Sequence, residues 1–150
     1  MTPDSAESAS ESTSEAAPKK PVVVLTGPTA SGKTSLALRM AKRFDGEIIN
    51  ADSMQVFRFM DIGTAKPSLE ERAVVPHHLF DVASPDDEYS AGRYAVEARA
   101  AAARIHASGK LVLIVGGTGL YIRAFLEGLI ETGGADIALR ERLEKEHATA

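Results

Sequence analysis

The chain has 150 residues, 44% apolar and 25% charged with few aromatics, which is one globular domain's worth of sequence and holds no apolar run of membrane-spanning length. It contains no cysteine, so disulfides, thiolate zinc sites and cysteine nucleophiles are excluded together. Of the 21 acidic residues, Asp4, Glu7, Glu11 and Glu15 lie in a base-free stretch, residues 1–17; the others match the 17 lysines and arginines, leaving a neutral body that is a weak electrostatic footprint for a large polyanion.

Residues 1–20 are low-complexity, rich in Ser, Glu and Ala, and cannot offset their ordering entropy. They are expected to form a disordered tail without the basic flank and apolar centre of a secretory signal, which makes the cytoplasm the default location. Residues 21–150 read as an α/β core. PVVVLTG is a short β-branched strand ended by glycine. KTSLALRMAKRF places Leu36, Ala37, Met40, Ala41 and Phe44 at helical spacing and is expected to stop at Gly46. EIINAD is a second strand. Residues 60–76, with Gly63, Pro67 and Pro76, read as a long loop that can hold one helical turn, and HLFDVA as a third strand. Ser90 to Ala107 is a capped helix followed by Gly109, with the run Ala100–Ala103 suited to close packing on a sheet. LVLIVGG is a further buried strand, then comes a helix from about Thr118 to Leu129, with Tyr121 in its core-facing or pocket-facing wall. After Gly133-Gly134 a charged terminal helix is expected. Apolar strands alternating with helices predict a parallel sheet covered on both faces, a three-layer fold of the P-loop nucleoside-triphosphate-hydrolase type, with ligands beyond the carboxyl ends of the strands.

Gly27-Pro28-Thr29-Ala30-Ser31-Gly32-Lys33-Thr34 satisfies G-x-x-x-x-G-K-[ST], between a strand and a helix as the motif requires. Glycines let backbone N–H groups turn around a phosphate at a helix N-terminus; the lysine adds a point charge and the threonine hydroxyl a ligand for Mg²⁺. The segment therefore binds a di- or triphosphate. LVLIV runs into Gly116-Gly117-Thr118 without the carboxylate that NTP hydrolases place after a later strand, which counts against a motor or switch NTPase. A strand-end carboxylate appears instead at Asp52. It serves equally as a helix cap for residues 54–57 or as a base acting on a nucleophile brought to the phosphate ligand. The neighbours His77 and His78 point to opposite sides of an extended chain, so they do not read as a metal pair. Asp61, Thr64 and Lys66 read as a loop that is either solvated or in contact with phosphate or RNA.

As a set, GPTASGKT, INADSMQVF, MDIGTAKP, PHHLFDV, YSAG and GGTGLY resemble the tRNA dimethylallyltransferases (tRNA isopentenyltransferases) in type, order and spacing, from about Val22 to the end of the chain. The resemblance implies transfer of a dimethylallyl group from dimethylallyl diphosphate to the exocyclic amine of the adenosine 3′ of the anticodon, releasing pyrophosphate. It implies Asp52 as general base and Lys33 and Thr118 as stabilisers of the departing diphosphate, with Thr34 holding Mg²⁺ as the cofactor. It also implies tRNA contacts at Asp52, Ser53, Met54, Gln55, Thr118 and Arg140, the last equally readable as one charge on a solvated helix face. A monomer acting on the tRNA anticodon stem-loop, with no membrane partner, is expected. The other readings are an adenylate isopentenyltransferase or P-loop kinase on the same core, or a phosphate-binding fragment without turnover. Two positions depart from the family pattern: Phe57, where tyrosine is common, and Phe59, where a small glycine usually stands. Members run to about twice this length, and their second half supplies an RNA-gripping insertion and further strands of the core. The fold is therefore expected to be incomplete at the C-terminus.

Overall fold

The computed structural model describes residues 21–129, together with 142 and 145–147. The expected tail over 1–20, Gly133-Gly134, Arg140 and most of the charged terminal segment lie outside them. The elements run β1 (Val22–Leu25), α1 (Lys33–Phe44), β2 (Gly46–Asn50), α2 (Leu69–Val74), β3 (His77–His78), α3 (Ala91–Ala107), β4 (Leu111–Val115) and α4 (Gly119–Glu127). The four strands form one parallel sheet in the order β1-β4-β2-β3.

Because successive side chains of a strand face opposite ways, each strand feeds two cores. Ile48, Leu111 and Leu113 meet Ala37 and Ala41 of α1 on one face. Ile49, Val112 and Ile114 meet Tyr94, Ala98, Ala101, Ala102 and Ile105 of α3 on the other. The small residues let both helices lie close to the sheet. In the expected alanine run only Ala101 and Ala102 face inward, while Ala100 and Ala103 are exposed. α4 packs beside α3, where Tyr121 stacks on Tyr94 with ring centroids 4.2 Å apart, and Arg99 of α3 donates to the carbonyls of Ala124 and Phe125 that end α4. These layers are the expected α/β arrangement. No helix among the described residues is long and apolar enough to cross a membrane.

Three expectations are corrected. α1 ends on Asp45, which takes the left-handed conformation (φ 50°), and not on Gly46. Gly46 already belongs to β2, where a Cβ would stand 3.1 Å from the Leu111 carbonyl oxygen. The long loop contains a true helix, α2, closed by a capping box: Ser68 accepts from the Glu71 N–H, and the Glu71 carboxylate accepts from the Ser68 N–H at 2.9 Å. The strand expected over HLFDVA is restricted to His77–His78. Leu79 and Asp81 have φ of 62° and 56°, so the chain turns away from the sheet. Its backbone groups pair elsewhere, the Val82 N–H with the Val56 carbonyl at 2.8 Å and the Ala83 carbonyl with the Arg58 N–H at 2.9 Å.

Candidate active site

The carboxyl ends of β1, β2 and β4 open on one side of the sheet, and every chemically active segment of the sequence starts there. β1 passes into residues 26–32, a turn that needs unusual backbone angles: Gly27 has φ of 153°, Ala30 61° and Gly32 82°. Gly32 caps α1 without any side-chain hydrogen bond, so the first N–H groups of the helix are left to a ligand, with the positive end of the helix dipole behind them. Lys33 lies back over this turn. Its Nζ donates to the Gly27 carbonyl at 2.7 Å, to the Pro28 carbonyl, and to Ser31 Oγ at 3.3 Å. The ammonium is therefore held at the rim of the same concavity into which the N–H groups point.

β2 ends in Asn50, which like the following Ala51 is fully buried. Asp52 follows, and its Oδ1 accepts from the Met54 N–H at 2.9 Å and the Gln55 N–H at 3.3 Å. The carboxylate thus caps a turn over residues 53–56, where the helix expected through residues 54–57 does not form, and this occupies one carboxylate oxygen. Ser53 donates its N–H to Thr118 Oγ1 at 2.9 Å, and Thr118 donates its own N–H to the Ala51 carbonyl at 3.0 Å. Gly116 makes this junction feasible, because a Cβ there would collide with the Ala51 backbone. Burial first, and then the charge of nearby Asp52, push the Tyr121 hydroxyl above its ordinary range.

A cleft of about 340 Å³ joins the two halves. Thr29, Ala30, Ser31, Gly32, Lys33 and Thr34 line one wall, and Asp52 and Gln55 face them, with Val115 and Gly116 at the base. Ser53, Met54 and Thr118 are not among the lining residues: Thr118 braces the wall from behind, and Met54 is exposed. Gly27 and Pro28 take part as the acceptors that hold Lys33.

The far wall comes from residues for which sequence gave weaker signals: Thr64, Ala65, Pro67, Glu71, His77 and Phe80. Lys66 is no solvated loop residue. Its side chain is 2% exposed, and Nζ donates to the Phe57 carbonyl (2.8 Å), Asp61 (2.8 Å) and Asp81 (2.7 Å). Arg72 of α2 binds the other oxygen of Asp81 at 2.5 Å. Burial alone would raise the Asp81 carboxyl and lower the Lys66 ammonium. The hydrogen bonds and charges of the cluster outweigh it, leaving Asp81 below and Lys66 above their ordinary values. This cluster shapes the loop that carries Thr64, whose carbonyl accepts from Gln55 Nε2 at 2.8 Å. Ser68-x-x-Glu71 was a readable helix start in the sequence, whereas nothing local marks Asp81 as the partner of Lys66.

His77 and His78 take separate partners. Nδ1 of His77 lies 2.8 Å from the Val75 carbonyl and so carries the proton; burial lowers this ring's pKa. His78 pairs with Glu47 at 2.7 Å. Phe59 has φ of 64° and is 84% exposed, which explains physically why a glycine suits this position. Phe57 packs against the core instead. Among the described residues no three His, Cys, Asp or Glu side chains gather as a metal site. The oxygen donor at hand beside the glycine-rich turn, the Thr34 hydroxyl, suits Mg²⁺ of the kind bound chiefly through substrate phosphates and water.

Two family models match the chain: IPP transferase over residues 55–150 and isopentenyl transferase over residues 20–78. The tRNA dimethylallyltransferase 2 of Geotalea uraniireducens is 58% identical over 122 residues, covering 81% of this chain and 39% of that protein. The crystal structure of the tRNA isopentenylpyrophosphate transferase of Bacillus halodurans matches with a TM-score of 0.72 and 42% identity, over 89% of this chain and 44% of that one. A eukaryotic dimethylallyltransferase described as acting on tRNA matches with a TM-score of 0.72 and 38% identity, over 76% and 28%. The chain spans about two fifths of the length of the curated relatives it matches.

Proposed function

The chain belongs to the IPP transferase family, the tRNA dimethylallyltransferases, and from that premise we propose that the protein carries the donor and base-handling half of a tRNA prenyltransferase. The reaction is transfer of the dimethylallyl group of dimethylallyl diphosphate to the exocyclic amine of the adenosine 3′ of the anticodon, with pyrophosphate released, in a cytoplasmic monomer. The observation that carries this reading is the single cleft in which the phosphate-binding turn and Asp52 face each other.

The geometry supports the following division of roles. The N–H groups of residues 29–34 and the Lys33 ammonium hold the diphosphate and stabilise the negative charge that grows on it as the allylic carbon–oxygen bond breaks. Mg²⁺, bound through Thr34, would supply further charge to the same oxygens. The adenine is taken out of its stack to reach the cleft. Its amine nitrogen bonds to the allylic carbon, and its proton passes to the Asp52 oxygen left free by the cap. Gln55, its amide turned by the Thr64 carbonyl, borders the base. Thr118 acts through Ser53, keeping the Asp52–Gln55 turn against the sheet.

Thermal unfolding of the purified chain with dimethylallyl diphosphate or ATP, each with Mg²⁺, tests the proposal. A ligand at a hundred times its Kd stabilises the folded state by about 2.7 kcal/mol, several degrees in Tm for a domain of this size. The expected result is a larger rise with dimethylallyl diphosphate. A larger rise with ATP would overturn the reading in favour of a kinase.

A further inference from the structure

Asn50 is fully buried at the carboxyl end of β2, and its amide is completely engaged. Oδ1 accepts from the Asp52 N–H at 3.0 Å, while Nδ2 donates to the Asp52 carbonyl at 3.1 Å and to the Leu79 carbonyl at 3.0 Å. A flipped amide would set N–H against N–H and oxygen against two carbonyls, so the orientation is dictated.

Position matters as much as saturation. Ala51 is the last residue of this segment tied to its neighbour, its N–H bonding the Val115 carbonyl at 2.8 Å. At Asp52 the ladder has run out, yet both peptide groups of that residue are still gripped by the Asn50 side chain. The third bond anchors the grip across the sheet end to Leu79, a residue held at φ of 62° in the turn that leaves β3. Asp52 in turn orders the N–H groups of Met54 and Gln55 through Oδ1.

We propose that Asn50 is a positioning residue: its amide extends the sheet ladder by one residue and thereby fixes the direction in which the Asp52 carboxylate enters the cleft. A buried amide that merely satisfies itself would stabilise the core and leave the carboxylate indifferent to it. The link to catalysis rests on the reading of Asp52 as the base, but the positioning itself needs neither donor nor RNA.

The test is amide hydrogen exchange, followed by NMR, on Asn50→Ala and Asn50→Ser in the chain as it stands. The protection of Met54 and Gln55, which do not touch Asn50, should fall roughly tenfold in Asn50→Ala, the equivalent of one net hydrogen bond. Ile114 in the core should keep its protection. Asn50→Ser retains a short acceptor for the Asp52 N–H and should restore part of the loss. It also carries the test if the alanine variant does not fold. Met54 and Gln55 exchanging as in the parent would overturn the proposal, and so would a loss spread evenly to Ile114. Failure of dimethylallyl diphosphate to stabilise the parent chain would strike the prenyl-transfer reading alone.

Discussion

At the scale of single residues, Asp52 shows how one carboxylate serves two purposes without conflict. Its Oδ1 caps the turn at Met54 and Gln55, and its other oxygen is left to the cleft. Asparagine keeps the capping oxygen and loses the basicity, whereas alanine loses both. Asp52→Asn is therefore expected to unfold within a few tenths of a kcal/mol of the parent, and Asp52→Ala about 1 kcal/mol lower, as read by urea titration. In the proposed reaction both should lower turnover on an anticodon stem-loop by about 10²- to 10⁴-fold, the usual contribution of a general base. Equal turnover in Asp52→Asn would remove Asp52 from the chemistry. The glycine-rich turn and this carboxylate were legible in the sequence because each is a local pattern at a strand end. Asn50 was not: its significance depends on Leu79, which is distant in sequence and reached only through the fold.

At the scale of elements, β1, β2, β4 and the long helices follow from apolar periodicity, and each was readable in place. What escaped was the region between β2 and α3, because its order comes from side chains and not from a ladder. Lys66, Asp61, Asp81 and Arg72 join the loop, α2 and the turn after β3 into one unit. The sign of its pH dependence follows from the shifts. Asp81 has a depressed folded pKa, so its contribution is present above the ordinary carboxylate range near pH 4 and is lost as pH falls through the folded value. Lys66 has a raised folded pKa, so its contribution is complete below about pH 10 and is lost only in stronger base. Lys66→Met removes a buried partner and should cost roughly 2–4 kcal/mol at pH 7. Asp81 is then less depressed, so the decline in urea midpoint as pH falls below the ordinary carboxylate range should be shallower than in the parent. An unchanged acid slope would show that Lys66 does not govern Asp81.

At the scale of the whole molecule, the parallel order β1-β4-β2-β3 seats β4 between the strand that delivers the glycine-rich turn and the strand that delivers Asp52. The layers and this placement of ligands were expected from the alternation of elements. The residue contacts across the strand ends were not, since they depend on strand order, which periodicity does not encode. The turn after β4 touches both neighbours. Gly116 donates its N–H to the Leu25 carbonyl at 3.1 Å, and Thr118 is bonded to Ala51 and Ser53. In the proposed reaction, donor and RNA therefore press on opposite sides of one short segment, and their affinities are thermodynamically linked. By whatever factor the diphosphate tightens the RNA, the RNA must tighten the diphosphate. Thr118→Val keeps the shape and removes the oxygen that Ser53 binds. Calorimetric titration of each proposed substrate onto the protein, with and without the other, should find that factor moving toward one in the variant; an undiminished factor would place the coupling elsewhere. Whether each substrate helps the other to bind thus becomes a property of Gly116, Gly117 and Thr118, the three residues at the seam between their sites.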